Sequence, residues 1–250
     1  MHILLTNDDG IQALGIKTLA KHLIKAGHTV DVVAPMRQQS GVSQCLTIFD
    51  PLRTKHHEEE NYHGIGVYGT PADCVKLALG SLMEHQPDCI VSGLNMGANV
   101  GPDLFYSGTV AAAIEGSQQG FPSIALSLDN HNPSDVNAQC EHAVRLLAKL
   151  PLETIPKKRV LNINYPDCPI DDIKGIRVCA NSEVTWDNVY QGCTDPRGER
   201  YYWLIGARDE SKMRSDSDII LLRNKYITIT PLRFEFTDQQ TMKLLNIDSL

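Results

Sequence analysis

Two adjacent carboxylates, Asp8 and Asp9, follow directly on the first apolar run of the sequence, residues 3–5. If the two groups lie about 4 Å apart at an effective dielectric constant near 20, their charges repel by roughly 4 kcal/mol, which corresponds to about three pKa units. Either one carboxyl group keeps its proton or a cation lies beside the pair. Because a hard divalent cation prefers oxygen ligands, the pair predicts a metal site.

Two further polar residues stand in loops that follow later apolar runs. Ser40 lies in the polar stretch 36–43 after Pro35, where a Ser-Gly pair is equally typical of a simple turn. Asn95 lies in the stretch 92–101, which contains three glycines and two asparagines. A loop of this composition leaves backbone amides and side-chain amides free to meet a ligand.

A turn made of Ser107, Gly108 and Thr109 precedes a stretch of small residues, 110–114, that is typical of a helix. Either Ser107 or Thr109 can serve as the N-cap of that helix. The same turn offers hydroxyl groups, free amides and a favourable helix dipole to an anion. Capping and anion binding are compatible, so both interpretations stay open.

The strands and helices that must position these groups follow a simple pattern at the start of the chain. The run 3–5 is typical of a buried strand, apolar residues from Ile16 recur on one face of a helix that ends near Gly27, and the run 30–33 forms a second strand. This order predicts a parallel βαβ unit. Open α/β sheets bind ligands at the carboxyl ends of their strands, where Asp8 lies. No Gly-x-Gly-x-x-Gly follows the first strand, which argues against a dinucleotide site.

The alternation of strands and helices continues to about residue 165. Strands are expected at 65–68, 89–91, 124–128 and 160–163, with helices after Thr70, after Ser107 and across 136–147. Thr70 is a good N-cap, because Pro71 and Asp73 follow at the first and third helical positions. The polar run 56–61 resembles a metal cluster, but it lies between strand-like segments and is expected to be a solvated hairpin tip.

Beyond Pro166 the pattern changes to short strand-like runs. They lie at 176–179, 201–205, 219–222 and 226–230, and a final helix is expected from Gln239. No Ser-rich or Gly-rich linker marks a boundary, so we expect one domain over residues 1–250. Its regular α/β core covers about 1–165, and a β-hairpin extension with a C-terminal helix covers about 166–250. Exposed aromatic side chains of that extension can be buried against another subunit.

Composition excludes several classes of protein. The 250 residues are 42% apolar and 21% charged, as in a globular chain, and the net charge of −7 leaves no basic surface for nucleic acid or a membrane. The seven cysteines follow none of the usual zinc spacings and are expected to be buried free thiols. A strand beginning at residue 3 leaves no room for a signal peptide, and no apolar run approaches the ~20 residues that span a bilayer. We therefore expect a cytoplasmic protein.

Together, the motifs of this sequence resemble one family closely, the SurE survival proteins, which are metal-dependent nucleotidases. The resemblance is carried by Pro35, Ser40 and Gly41 and by the segments 7–10, 69–75, 92–97, 107–113, 161–164, 195–198 and 229–232. Each segment is unspecific alone, but their order along almost the whole chain is highly specific. Leu14 stands where many members have Pro, and Ile219 and Ile220 stand where small residues are usual.

The resemblance implies a three-layer α/β/α, Rossmann-like fold with a mostly parallel sheet and a protruding C-terminal β-rich region used in oligomerisation, as a homodimer or homotetramer. It implies hydrolysis of nucleoside 5′-monophosphates and 3′-monophosphates, with short polyphosphate as a substrate of some members. The family's metal site corresponds to Asp8, Asp9, Ser40 and Asn95, which would hold one divalent ion per subunit, Mg²⁺ or Mn²⁺. Its phosphate-binding residues correspond to Asn95 and to the turn of Ser107, Gly108 and Thr109.

The chemistry of the residues agrees with that assignment. A metal ion would neutralise a phosphate oxygen and lower the pKa of a water molecule, while Asp8 or Asp9 orients or deprotonates that water. Asn95, Ser107 and the amides near Gly108 would stabilise the phosphoryl oxygens. Two alternatives remain. An aspartyl-phosphate phosphatase would need a second Asp two positions after the first, where Gly10 stands. A non-catalytic nucleotide or metal sensor would bind in the same crevice without hydrolysis.

Overall fold

The structure is a computed structural model that describes residues 1–245, so residues 246–250 of the expected domain lie outside the described range. Its strands are β1 (His2–Thr6), β2 (Thr29–Pro35), β3 (Thr54–Glu59), β4 (Tyr62–Val67), β5 (Cys89–Met96), β6 (Ser123–Leu128), β7 (Arg159–Tyr165), β8 (Gly175–Val178), β9 (Tyr190–Thr194), β10 (Arg200–Leu204) and β11 (Tyr226–Arg233). One nine-stranded sheet has the order β3-β4-β2-β1-β5-β6-β7-β11-β8, and β9 and β10 pair separately.

The middle of the sheet is parallel, and its strand order changes direction at β1. The strands β4, β2, β1, β5, β6 and β7 run parallel, whereas β3 and β11 lie antiparallel to β4 and β7. The strand that follows β1 in the chain, β2, lies on one side of β1, and β5 lies on its other side. In the parallel pair of β1 and β5, Thr6 is opposite Ser92. Open α/β sheets bind ligands at such a switch point.

Helices cover both faces of the sheet. They are α1 (Leu14–Lys25), α2 (Pro71–Leu77), α3 (Gly108–Gln118), α4 (Asn137–Leu147), α5 (Asp218–Arg223) and α6 (Gln239–Leu244). Successive residues of a strand point to opposite faces. Accordingly, Ile3 and Leu5 of β1 belong to the core shared with α1 and α4, and Leu4 belongs to the core shared with α2 and α3. The predicted three-layer α/β/α fold with a mostly parallel sheet is confirmed.

Capping residues set the starts of two helices near the sheet edge. The Thr70 hydroxyl accepts a hydrogen bond from the Asp73 amide at 3.1 Å, and the Asp73 carboxylate accepts one from the Thr70 amide at 2.9 Å. This pair of bonds is a capping box, and Pro71 occupies the first helical position. Ser107 is the N-cap of α3, because its hydroxyl accepts from the Val110 amide at 3.1 Å. Of the two candidate caps predicted for that helix, Ser107 is therefore the one used.

Two strands are longer than predicted. β5 does not stop at residue 91 but continues to Met96 through an irregularity between Ser92 and Asn95, so the glycine-rich loop begins later than expected. His56 to Glu59 belong to β3, and the hairpin tip is only residues 60–61. The prediction of a tip over 56–61 was thus too wide. Within residues 1–245 no three His, Cys, Asp or Glu side chains come together as a metal-binding group.

The C-terminal part contains one wrong prediction and one missed strand. Residues 219–222 form helix α5 rather than a strand, because Asp218 accepts from the Ile219 amide at 2.8 Å and Ile219 and Leu222 lie on one helix face against Val100. A run of four apolar residues has no periodicity that separates strand from helix. The polar, Gly-containing strand β9 was missed. No helix of the described chain has the length and apolar character needed to span a bilayer.

Candidate active site

The carboxylate pair follows β1, at the switch point of the sheet. A tight turn fixes the chain there: Asn7 Nδ2 donates to the Gly10 carbonyl at 2.9 Å, and the Gly10 amide donates to Asn7 Oδ1 at 3.2 Å. Gly10 has a φ of +102°, which L side chains rarely adopt. The segment Asn-Asp-Asp-Gly therefore forms a turn that is closed by two hydrogen bonds between Asn7 and Gly10, and Asp8 and Asp9 are the two central residues of that turn.

Asp8 is held from two sides and is almost fully buried. Its carbonyl accepts from the Gln39 amide at 2.7 Å, and its Oδ1 accepts from the Thr109 hydroxyl at 2.5 Å. A Cβ atom on Gly108 would lie 2.8 Å from the Cβ of Asp8 and 2.9 Å from the Gln39 carbonyl oxygen. Gly108 is therefore required by the close approach of α3 to Asp8.

Burial raises the pKa values of both members of the carboxylate pair. Desolvation raises the pKa of Asp8 from 3.8 to about 6, although hydrogen bonds from Thr109 lower it, and the charge of Asp9 raises it further. Desolvation also raises the pKa of Asp9, against the lowering effect of the Met96 amide, which donates to Asp9 Oδ2 at 3.2 Å. Each side chain thus has one carboxylate oxygen bonded within the described chain and one without such a bond.

Ser40 and Asn95 present further oxygen atoms beside the pair. Asn95 is 8% exposed, and its Nδ2 donates to the Gly97 carbonyl at 2.7 Å, which leaves Oδ1 as the acceptor end of the amide. Ser40 is exposed, and its hydroxyl accepts from Gln38 Nε2 at 3.1 Å. Asn95 comes from the end of β5 and Ser40 from the loop after β2, which are the two strands that flank β1.

These residues open into a cleft of about 560 Å³, which we call the Asp8 cleft. Of the predicted site residues, those that line it are Asp8, Asp9, Ser40, Asn95 and Ser107. The sequence prediction did not single out four other side chains of the lining, which are Gln38, Asp103, Tyr106 and His131. His131 follows β6, so the general rule about strand ends could have suggested it. Among the residues that the structure describes, no lysine or arginine lines the cleft.

Thr109 occupies a place that differs from the predicted phosphate contact. Its side chain is fully buried, and its hydroxyl donates to Asp8 instead of facing the cleft. Gly108 likewise lies behind Asp8. Ser107, which is 8% exposed, is the member of this turn that lines the cleft. The turn therefore supports the carboxylate pair from behind and presents the N-terminus of α3 in front.

Two asparagines of β7 anchor the loop that follows β5. The Asn99 carbonyl accepts from Asn162 Nδ2 at 2.8 Å and from Asn164 Nδ2 at 3.0 Å, and the Asn99 amide donates to Asn164 Oδ1 at 2.8 Å. All three residues are buried. The segment 161–164 of the family resemblance thus shapes one wall of the cleft.

The rim of the cleft is tied to the C-terminal region through Asp103. Its Oδ2 lies 2.5 Å from Arg208 Nη2, and its Oδ1 accepts from Trp186 Nε1 at 2.9 Å. The Arg208 guanidinium also lies over the Trp186 ring, 4.6 Å from its centroid. These contacts join the short 3₁₀ turn before α3 to residues that follow the main α/β core.

The donor set fits a hard divalent cation. Two carboxylates, an amide oxygen and a hydroxyl are all oxygen ligands, and Mg²⁺ and Mn²⁺ are bound by such groups with water or phosphate in the remaining positions. Desolvation raises the pKa of the buried Asp8 and of the half-buried Asp9, and no lysine or arginine of the described cleft lining offsets their negative charge. A cation beside the pair would offset that charge.

The fold and the site together define a three-layer α/β/α protein with a carboxylate pair in a cleft at the switch point of its sheet. The family model described as Survival protein SurE matches residues 3–188. Proteins named 5'-nucleotidase SurE from Nitratidesulfovibrio vulgaris (strain DP4) and Lawsonia intracellularis are 51% and 42% identical over 245 residues, 98% of each chain. A crystal structure of the SurE protein from Aquifex aeolicus matches with a TM-score of 0.85 and 34% identity over 98% of both chains. The chain belongs to the survival protein SurE family.

Proposed function

We propose that this protein is a metal-dependent 5'-nucleotidase that hydrolyses nucleoside 5′-monophosphates to a nucleoside and phosphate. The observation that carries the proposal is the pair of the buried Asp8 and the half-buried Asp9, which faces a cleft without lysine or arginine among the described residues. A phosphate dianion can approach such a pair only if a cation lies between them. The relatives named 5'-nucleotidase SurE share about half of their residues with this chain over almost its whole length.

We assign one divalent ion per subunit, Mg²⁺ or Mn²⁺, to Asp8, Asp9, Ser40 and Asn95. When bound, this ion supplies positive charge to the phosphate and lowers the pKa of water. The free carboxylate oxygens of Asp8 and Asp9 are available to it, because the other oxygen of each side chain accepts a hydrogen bond from Thr109 or Met96. Thr109 thereby holds Asp8 in one orientation.

The remaining steps are assigned to the chain's own groups. Asp8 or Asp9 orients the attacking water and accepts its proton as the water oxygen bonds to phosphorus. The bond from phosphorus to the ribose oxygen breaks, and that oxygen takes up a proton from solvent and leaves as the nucleoside hydroxyl group. Asn95, Ser107 and the backbone amide of Gly108 at the start of α3 hold the phosphoryl oxygens as charge spreads over them. Thr109 supports this step through Asp8, because both its hydroxyl and its backbone amide are hydrogen-bonded to that carboxylate.

The proposal extends to other phosphate esters to different degrees. A nucleoside 3′-monophosphate presents the same phosphate group and the same ribose, so we expect it to be hydrolysed. Short polyphosphate carries more negative charge, and no lysine or arginine of the described cleft lining balances it, so we expect slower turnover. Neither the sensor nor the aspartyl-phosphate alternative is supported by the relatives' names.

We also propose a cytoplasmic homodimer or homotetramer. The hairpin of β9 and β10 exposes several large apolar side chains, among them Tyr202, Trp203 and Leu204, and exposed apolar groups of this extent are typical of an interface. All seven cysteines are free thiols, which is usual in a reducing compartment. Only Cys74, Cys89 and Cys140 are buried, so the prediction of buried thiols is wrong for the other four. The acidic net charge of −7 argues against nucleic acid as a partner.

The test is phosphate release from a panel of nucleoside 5′-monophosphates and 3′-monophosphates by metal-stripped protein, with Mg²⁺, Mn²⁺ or no metal added. We expect release only with metal and fastest for the 5′-monophosphates. Asp8→Asn should abolish it, whereas Asp195→Asn, in the exposed turn between β9 and β10, should not. Nucleotide binding without phosphate release by folded protein would contradict the proposal, and so would a phosphoryl group retained on Asp8 after acid quench.

A further inference from the structure

The lining of the Asp8 cleft offers few ways to hold a nucleoside. It contains no lysine or arginine among the described residues, and its only benzene-type ring is that of Tyr106. The imidazole of His131 lies against the backbone of Gly97, where an added Cβ would be 2.5 Å from the ring. Without a basic side chain in this lining, stacking on Tyr106 is the main apolar contact that the cleft offers to the part of a substrate beyond the phosphate.

The backbone of Tyr106 is fixed on both sides although its side chain is exposed. Its amide donates to the Asp103 carbonyl at 3.0 Å, and its carbonyl accepts from the Ser43 amide at 3.0 Å. The Ser43 hydroxyl also donates to the Phe105 carbonyl at 2.7 Å. The Tyr106 side chain nevertheless remains 65% exposed at the cleft. An aromatic side chain has only two rotatable bonds, so on a fixed backbone it binds a flat partner at a low cost in conformational entropy.

The position of this ring in the chain relates it to the phosphate. Ser107, the next residue, caps α3 and lines the same cleft as Asp8. A nucleotide whose phosphate lies between the carboxylate pair and Ser107 must extend its ribose and base along the cleft. Its volume of about 560 Å³ is within the roughly 300–1,000 Å³ typical of small-molecule sites.

We propose that Tyr106 stacks on the nucleobase and thereby selects nucleotides over phosphorylated sugars that lack a base. This inference rests on the proposed function and adds the group that recognises the nucleoside. Stacking uses the face of the base, which all bases share, and does not read the hydrogen-bonding edge. The contact therefore predicts similar kcat/KM values for purine and pyrimidine monophosphates.

The test compares kcat/KM for adenosine 5′-monophosphate with kcat/KM for ribose 5-phosphate, which has the same phosphate and sugar without the base. The variants are Tyr106→Leu, Tyr106→Phe and Phe105→Leu. Phe105 is the matched control, because it is 73% exposed on the same turn and does not line the cleft. The inhibition constant of adenosine, measured with ribose 5-phosphate as substrate, reports base binding independently of nucleotide turnover.

We expect the wild-type protein to prefer the nucleotide and Tyr106→Leu to lose about tenfold or more of that preference, with a matching rise in the adenosine inhibition constant. Tyr106→Phe and Phe105→Leu should keep the wild-type preference. A wild-type protein that hydrolyses both substrates equally, or a preference unchanged in Tyr106→Leu, would overturn the stacking contact and leave the proposed function standing. No metal-dependent release from either substrate would overturn both.

Discussion

Replacing Asp8 by Asn should abolish activity and yet stabilise the metal-free protein. Burial raises the pKa of Asp8 from 3.8 to about 6, and at 1.36 kcal/mol per pKa unit this difference is about 3 kcal/mol. The folded state holds the Asp8 proton more tightly than the unfolded state does. Below pH 3.8 the carboxyl group is protonated in both states, so Asp8 does not lower the free energy of unfolding there. The destabilisation by Asp8 grows as the pH rises to about 6 and reaches its full value above that pH. An Asn side chain avoids this destabilisation and can still accept from Thr109.

Urea unfolding of metal-stripped protein at pH 8 and pH 4 measures this effect. At pH 8 we expect Asp8→Asn to have a free energy of unfolding up to about 3 kcal/mol above that of the wild type, and at pH 4 the two should be nearly equal. Added Mn²⁺ should stabilise the wild type and not the variant. Asp73→Asn is the control, because the buried Asp73 carboxylate accepts hydrogen bonds from Thr47 and Thr70 and its loss should destabilise. A less stable Asp8→Asn protein at pH 8 would refute the reasoning.

Three further substitutions test the groups around the pair. Thr109→Val removes the hydroxyl that donates to Asp8 and should weaken Mn²⁺ binding about tenfold or more in calorimetry. Thr109→Ser keeps the hydroxyl and should keep the affinity. Equal Mn²⁺ affinities of the wild type and Thr109→Val would show that Thr109 does not position Asp8 for the metal. Gly108→Ala forces a Cβ to 2.8 Å from Asp8 and should lower kcat/KM by roughly 100-fold; near-normal activity would contradict the close approach. Asn164→Leu breaks two bonds to Asn99 and should cost about 2–3 kcal/mol in urea unfolding; an unchanged midpoint would argue against the anchor.

Much of the fold could be predicted because local signals agree with the global arrangement. The apolar run before Asp8, the periodic helix after it and the cap at Thr70 each point to the element that the structure contains. The four apolar residues 219–222 failed as a guide, because the helix there depends on Asp218, which also accepts from the amides of Gly101 and Ser182 far away in the sequence. Such tertiary contacts leave no local pattern.

The site shows the same division between local and distant information. That Asp8 and Asn95 line the same cleft could be predicted, because each lies at the end of a strand and parallel strands end at the same edge of the sheet. The hydrogen bond from Thr109 to Asp8 could not be predicted. The sequence Ser-Gly-Thr does not show whether the threonine side chain faces a phosphate or the carboxylate behind it. Tyr106 was missed because nothing in the sequence says that its side chain lines the cleft.

The most direct test of the account is a titration of metal-stripped wild-type protein with Mn²⁺, in which bound metal and phosphate release from adenosine 5′-monophosphate are measured on the same samples. We expect no release without metal, and a rate that rises in proportion to bound Mn²⁺ up to one ion per subunit. Asp8→Asn should bind less metal and show no release. Full activity in the stripped protein, or activity that does not follow metal occupancy, would contradict the assignment of a metal-dependent site to Asp8 and Asp9.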